Sequence, residues 1–377
     1  MPPLRVGLIG AGQIAKPHIA AFRMLSSLYA DAANIELDMV AEATEGLAQK
    51  AAKRYGFKRW TADWRKLTRD PSLGIVVIAT PTYLHKEPAI DAIENGKNVL
   101  CEKPLAMNAH EARLMHRAAE KAGVVNMTGF NFRRVPAIEF ARQLIERGEL
   151  GEIYHFRCQN FEDWGAAEST PMAWRFRRRT AGSGALADLG SHVIDLTRHI
   201  FGNPSFVAAA SRTYTREWEN GPNRGRRPKV DVDDASLALL RLQNGAVGVL
   251  EASWVASGKK AGLEFEAYGS RGSLFFDMER PGELEIYEDG DAPELRGYRR
   301  VLTGPEHPYS KALVLGQPAI GMGYEESIAN EVYDFTTAVR DSKTVSPNFY
   351  DGWKALQVAD AIVRSNETKS WVRIPRP

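Results

Sequence analysis

The chain has 377 residues, with 49 basic and 47 acidic side chains and a formal charge of +2. That balance gives no global reason to expect a polyanionic partner, which sets nucleic acid aside. An apolar share of 44% and a charged share of 25% are those of an ordinary globular protein, and the length suits two domains. No apolar run is long enough to span a bilayer, and "MPPLRVGLIG" lacks the apolar core of a secretory signal. The two cysteines, Cys101 and Cys158, lie in strand-like runs and read as small buried hydrophobes, which favours a reducing, cytoplasmic setting.

Leu4 to Ile9 is a short aliphatic run suited to a buried parallel strand. Gly10, Gly12 and Ala15 follow as G-x-G-x-x-A, and an amphipathic stretch continues to about Leu28 as a helix. Gly10 permits the tight turn, Gly12 lets a pyrophosphate approach the backbone, and Ala15 lets helix and strand pack closely. The free N–H groups of the helix N-terminus then face the phosphate. The next strand, Glu36 to Ala43, ends on Glu42, a candidate acceptor for the adenosine ribose hydroxyls. No arginine follows to receive a 2′-phosphate, so NAD is favoured over NADP. Asp38 lies close by, and either acid could instead be a solvated strand end.

"GIVVIATPTYLHKEPAIDAIENGKNVLCEKPL" reads strand, loop, helix, strand, loop. This alternation predicts a parallel doubly wound sheet, with ligands at the carboxyl ends of its strands. Thr80-Pro81 and Glu102-Lys103-Pro104 occupy two such ends. Lys103, between a hydrophobic strand and a proline, is either an oriented functional amine or a surface lysine.

After "VVNMTGFNFRR" the pattern changes. A helix from about Pro136 to Arg147 precedes the strand "EIYHFRCQN". Hairpins follow around Asn244-Gly245 and from Gly269 to Gly272, with a further strand at "ELEIYEDG". The expected architecture is therefore α/β: a Rossmann NAD-binding domain over 1–130 and an α+β domain over 131–377. The second domain has a large, open, mainly antiparallel sheet that serves substrate binding and oligomerisation. A C-terminal helix, about Gly352 to Ser365, is expected to pack back near the first domain. The basic stretch "NRGRRPK" reads as a solvated loop.

"GALADLGSHVIDLTRH" places four titratable groups in a segment that otherwise reads as core. On a helix from Gly184 to Ile200, Leu186, Leu189, Val193, Leu196 and Ile200 form one apolar stripe. Asp188, His192, Asp195 and His199 step four, three, four along a second stripe. That second stripe is either a solvated face or the wall of a cleft where His192 works as acid/base beside Asp188. A metal is the weaker option, because no third ligand is placed nearby and H-E-x-x-H is absent. Arg175, between Trp174 and Phe176 just ahead of this helix, could direct a fork of donors into a pocket.

Five motifs in order resemble the Gfo/Idh/MocA oxidoreductase family across nearly the whole chain. They are "GLIGAGQIA" (Gly7 to Ala15), "ATPTYLH" (Ala79 to His85), "CEKPLA" (Cys101 to Ala106), "GFNFRRVPA" (Gly129 to Ala137) and "GSGALADLGSH" (Gly182 to His192). "EDWGAAESTPMAWRF" resembles the branch acting on cyclic polyols and pyranoses. The resemblance implies that Lys103 is the active-site lysine and that Asp188 and His192 are the D-x-x-x-H pair. It implies nucleotide contacts at Gly10, Gly12, Gln13, Ile14, Glu42, Thr80, His85, Glu102 and Lys103. Substrate contacts are implied at Lys103, Asn131, Arg175, Asp188 and His192, with no metal. Ile320 departs from a histidine that some members of the branch carry.

The implied reaction is NAD-dependent oxidation of a secondary hydroxyl of an inositol, aldose or anhydrosugar to a ketone or lactone. The implied assembly is a homo-oligomer, dimer or tetramer, through the open sheet. The alternatives on the same scaffold are an NAD-using glycoside hydrolase and a non-catalytic NAD-binding regulator.

Overall fold

The computed structural model describes residues 2–166, 173–214, 230–310, 317–318 and 323–375. The basic stretch at 223–229, residues 167–172 of the branch motif, and Ile320 lie outside the described residues. The chain divides into two compact units: Met1–Asn131 with Gly323–Trp353, and Phe132–Met322 with Lys354–Pro377.

In the first unit, β1 (Leu4–Ile9) runs into α1 (Ala15–Leu28), and Val6, Leu8 and Ile9 are buried. β2 (Ile35–Ala41), α2 (Glu45–Tyr55), β3 (Arg59–Thr61) and α3 (Trp64–Thr68) follow. Then come β4 (Ile75–Ile78), α4 (Lys86–Glu94), β5 (Asn98–Cys101), α5 (Ala109–Ala122) and β6 (Asn126–Thr128). The six strands pair in parallel in the order β3-β2-β1-β4-β5-β6. All four residues of β4 are buried, which explains its unbroken Ile-Val-Val-Ile run: a sheet covered on both faces has no polar side. The strand order reverses between β1 and β4, and that switch point is where open α/β sheets leave a crevice for ligands.

The second unit opens with α6 (Pro136–Glu146) and β7 (Ile153–Phe161). A short helix α7 (Arg178–Ala181) leads to a turn of π-helix over Leu186–Gly190, which continues into α8 (Ser191–Ile200). Strands β8 (Pro204–Arg212), β9 (Ala235–Leu242), β10 (Val247–Ser253), β11 (Gly262–Gly269) and β12 (Gly272–Asp277) follow. They are succeeded by β13 (Glu283–Glu288), β14 (Arg299–Leu302) and the C-terminal β15 (Val372–Arg373). The nine strands are ordered β14-β13-β12-β11-β7-β10-β9-β8-β15 and are antiparallel except for β7 with β10. The β9–β10 hairpin turns at Asn244-Gly245, where Gly245 takes φ +97°. Strand β9 alternates: Ala238, Leu240 and Leu242 are buried, while Leu237 and Leu239 are exposed. One sheet face thus packs on helices, and the other exposes Leu237 and Leu239 beside charged groups such as the Arg157–Glu251 pair.

Helix α9 (Tyr324–Asp341) belongs to the first unit, whereas the sequence expectation assigned residues 131–377 to the second domain. The reason is side-chain pairing with α1 and its exit. Tyr29 stacks on Tyr333 with ring centroids 3.7 Å apart, and Tyr333 donates to Asp31. The final helix α10 runs from Phe349 to Thr368, longer at both ends than expected. Its residues Phe349–Trp353 belong to the first unit and those from Lys354 onward to the second. Among the described residues, no helix is long and apolar enough to cross a membrane.

Candidate functional site

The carboxyl ends of β1 and β4 build the nucleotide end of the first unit. Gly10 takes φ +87°, and a Cβ there would meet Ala79 O and Thr80 Cγ2, each at 2.9 Å, so only glycine serves this turn. A Cβ on Gly12 would point into open space, and Gln13 is exposed. Helix α1 begins after Ile14 without a side-chain cap; the Lys16 amide donates to Gln13 O at 3.2 Å, and the positive end of the helix is left without a capping side chain, which suits an anion. Pro17 in that first turn costs nothing, since the N–H it lacks has no intrahelical partner there.

Glu42, just past β2, accepts the Ala11 amide at 2.6 Å and the Ala43 amide at 3.1 Å. Its carboxylate therefore rests on the glycine turn itself. Asp38, the other candidate, is buried and accepts from Arg59 Nε at 2.7 Å. Paired across β2 and β3, it is a structural anion and no longer a rival to Glu42.

Thr80 Oγ1 is buried and has no hydrogen-bond partner among the described residues. A buried hydroxyl left unpaired is costly, which suits a position completed by a bound nucleotide. The glycine turn, the uncapped helix start, Glu42 and this orphan hydroxyl together fit NAD. Among the described residues the Glu42 carboxylate takes only backbone amides and no basic side chain, as expected for NAD rather than NADP.

His85 is buried, with Nε2 2.8 Å from Thr80 O and Nδ1 3.2 and 3.3 Å from Pro104 O and Leu105 O. Burial lowers its pKa below the ordinary value against those carbonyls and the charge of Glu102, so the neutral ring carries one proton. The resemblance implied a nucleotide contact for His85; its ring nitrogens are turned to the protein, bracing the two strand-end loops that carry Thr80 and Lys103. Lys103 is half-buried and leads into a cis bond to Pro104. Asn131 is buried and donates from Nδ2 to Ser327 Oγ of α9 at 2.7 Å.

In the second unit, the segment carrying Asp188 and His192 is fixed from its start. Gly182 takes φ +77°, and Gly184 lies so close to the 230s segment that a Cβ would fall 1.9 Å from Asp233 O. Asp233 accepts the Gly184 amide at 2.7 Å and the Leu186 amide at 2.8 Å, while its carbonyl accepts the Ala185 amide at 2.9 Å. Three successive amides that a helix leaves unbonded are thus satisfied by one residue. Burial raises the Asp233 pKa despite those amides. Beneath this entry lies an apolar cluster of Phe176, Ala185, Leu189, Val232, Ala252 and Trp254. Trp254 is fully buried and donates from Nε1 to Asp234 at 2.8 Å.

The expected uniform α-helix from Gly184 is therefore a π turn followed by α8, and the four-three-four stripe does not stay whole. Asp195 is buried in a bidentate pair with Arg133, at 2.7 and 2.5 Å. His199 Nε2 sits 3.2 Å from Glu139 of α6. Those two are structural. His192 is buried with its ring 4.5 Å from that of Phe132, and Asp188 Oδ2 lies 3.2 Å from Arg175 Nε. Arg175 also covers the Trp174 ring at 4.6 Å, held in place because its neighbour Phe176 is anchored in the core. A guanidinium stacked and ion-paired in this way has few rotamers left.

Sequence reading missed His18 and Asp233. A histidine at the third place after Ala15, on the apolar face of α1, was a local signal for His18. Asp233 carried none, since its partners lie 49 and 47 positions away. Among the described residues, no group of three or more His, Cys, Asp or Glu side chains is placed to hold a metal ion.

Two family models match the chain. The oxidoreductase family's NAD-binding Rossmann fold covers residues 4–130, and the GFO/IDH/MocA C-terminal domain covers residues 138–275. Levoglucosan dehydrogenase of Pseudarthrobacter phenanthrenivorans is 41% identical over 100% of this chain and 99% of the relative. Inositol 2-dehydrogenase of Rhizobium meliloti is 28% identical over 98% of this chain and 99% of its own length. The solved structure of levoglucosan dehydrogenase in complex with NADH and levoglucosan superposes with a TM-score of 0.94 at 41% identity, covering all of both chains. The glycine turn and the Asp188–His192 segment thus lie inside regions matched by both halves of one family, and the chain belongs to the Gfo/Idh/MocA family of NAD-dependent oxidoreductases.

Proposed function

We propose that this chain oxidises a secondary ring hydroxyl of a pyranose, with the anhydrosugar levoglucosan as the first substrate to test. It is an NAD-dependent dehydrogenase of cyclic sugars or polyols. The full-length likeness to levoglucosan dehydrogenase carries the narrower reading. The stacked, ion-paired Arg175 supports it, because a fixed guanidinium fork suits the vicinal hydroxyls of a sugar ring.

NAD, when bound, supplies the acceptor for the hydride that leaves the carbinol carbon. The turn at Gly10 and Gly12, with Gln13 and Ile14 just ahead of α1, would hold its pyrophosphate, Glu42 would hold its ribose hydroxyls, and the Thr80 hydroxyl would add a further contact. Lys103 and Glu102 stand at the same end of the sheet. Oxidation of CH–OH to C=O removes one hydride from carbon and one proton from oxygen. His192 takes the proton as general base. The Lys103 ammonium stabilises the negative charge that develops on the oxygen before the carbonyl forms. Asp188 orients His192 while Arg175 holds Asp188, and Arg175 and Asn131 position the sugar hydroxyls.

The exposed apolar residues Leu237, Leu239, Val247, Tyr154 and Phe206 of the open sheet support burial against a second copy, and so a homo-oligomer. Cys101 and Cys158, both free and buried, support a reducing cytoplasm. The test is NADH formation by the purified protein with NAD and a panel of levoglucosan, aldoses, glucosides, myo-inositol and scyllo-inositol. Stoichiometric NADH with a pyranose supports the reading. Bond cleavage without net NADH moves the assignment to a glycoside hydrolase, and nucleotide binding without turnover of any compound moves it to a regulator.

A further inference from the structure

Helix α1 carries one titratable side chain into its buried face. His18 shares that face with Ala15, Ile19, Phe22 and Leu25, and none of its surface reaches solvent. A polar ring so buried is costly unless it is bonded. Its Nε2 lies 2.6 Å from Oε1 of Glu102, the residue that follows β5. The second oxygen, Oε2, accepts the Lys103 amide at 3.1 Å. Gly129 closes the remaining side. Its amide donates to Cys101 O at 2.8 Å, and a Cβ at 129 would stand 3.1 Å from the Glu102 carboxyl carbon and Oε1. Burial opposes charge on His18, but the hydrogen bond to Glu102 and the negative charges of Glu102 and of the buried Glu331 on α9 outweigh it and raise its pKa.

We propose that His18 is a positioning residue: it holds the Glu102 carboxylate in the orientation that receives the Lys103 amide, and so fixes the backbone that presents the Lys103 side chain. The inference rests on the role given above to Lys103. It extends that role to a residue 84 positions before Glu102 in sequence, with no side-chain surface open to a ligand. Without the imidazole, Glu102 is a buried carboxylate that has lost its facing partner. Rotation toward solvent then relieves its desolvation and releases the Lys103 amide. A glutamine at 18 keeps an N–H donor at similar reach and is the conservative replacement.

The test uses the full chain as wild type, His18→Ala, His18→Gln and Lys103→Ala, with thermal unfolding measured for each. The local readout is hydrogen–deuterium exchange of the peptide containing Lys103; the functional readouts are kcat with a turned-over sugar and Kd for NADH. His18→Ala is expected to speed exchange at Lys103 and lower kcat about 10-fold or more, with His18→Gln restoring most of both. Unchanged exchange at Lys103 in a folded His18→Ala variant overturns the proposal. So does failure of a folded His18→Gln variant to recover exchange or kcat. Full kcat in Lys103→Ala with the expected exchange pattern instead sinks the role of Lys103 and leaves the local coupling standing.

Discussion

The Arg175 guanidinium Nε lies 3.2 Å from Asp188 Oδ2, while its plane covers the neighbouring Trp174 ring. A planar fork that stacks and pairs at once is a geometry lysine cannot copy. Arg175→Lys is expected to raise KM for the sugar by about 10-fold or more, from the loss of one to two charge-assisted bonds. KM for NAD is expected to stay unchanged. Steady-state kinetics with each substrate varied in turn checks this, and equal shifts in both KM values would remove Arg175 from sugar binding.

The proton and charge assignments separate by kinetics. His192→Ala is expected to lower kcat by about 10²–10⁴-fold. Lys103→Ala should lower kcat with little change in Kd for NADH, measured by fluorescence titration. Full turnover in either variant contradicts its role.

Glu42 rests on the glycine turn through Ala11 N. Its removal takes away the ribose acceptor and one brace of that turn. Glu42→Ala is expected to raise KM for NAD about 10-fold or more and to narrow the preference for NAD over NADP, because the carboxylate that repels a 2′-phosphate is gone. A wild type with equal KM values for both nucleotides would contradict the assignment.

His18 sets a pH dependence of stability. Its pKa in the fold is raised by Glu102 and Glu331 against the opposing effect of burial. A raised pKa means the folded state binds the proton more tightly than the unfolded chain. The stabilisation is therefore full below the ordinary value of about 6.5 and is lost as pH rises through the folded value. Melting curves from about pH 6 to 9 should give wild type its largest Tm advantage over His18→Gln at the acid end. An advantage that grows with pH refutes the sign.

Asp233 and Gly184 define the entry to the π turn. Gly184→Ala places a Cβ on Asp233 O, and its expected cost is about 3 kcal/mol. Asp233→Asn exchanges one acceptor for an N–H group that faces a backbone N–H, so kcat should fall with a smaller loss of Tm. Urea unfolding and kinetics on both variants check this; a Gly184→Ala protein as stable as wild type would mean the backbone can retreat there.

Short-range patterns made much of the architecture legible. The Leu4–Ile9 run, the glycine turn, the Ile-Val-Val-Ile strand and the Asn-Gly hairpin each depend on side-chain periodicity or φ preference within a few residues. The second sheet was readable for the same reason: a strand such as β9 with one open face must alternate.

What the local pattern left open was partner choice. Glu42 and Asp38 are chemically alike, and only pairing of β3 beside β2, which brings Arg59 to Asp38, assigns one to the sheet and the other to the glycine turn. Asp188 to His199 looked like one stripe, but Arg133 and Glu139 claim Asp195 and His199 once α6 and its approach pack against α8. Helix α9 joined the first unit through Tyr333 and Tyr29, which no periodicity links. Composition and spacing determined which elements form and which side chains could do chemistry. The tertiary structure decided which of those side chains are already neutralised, because a buried charge takes its partner from whatever element packing brings within hydrogen-bond reach.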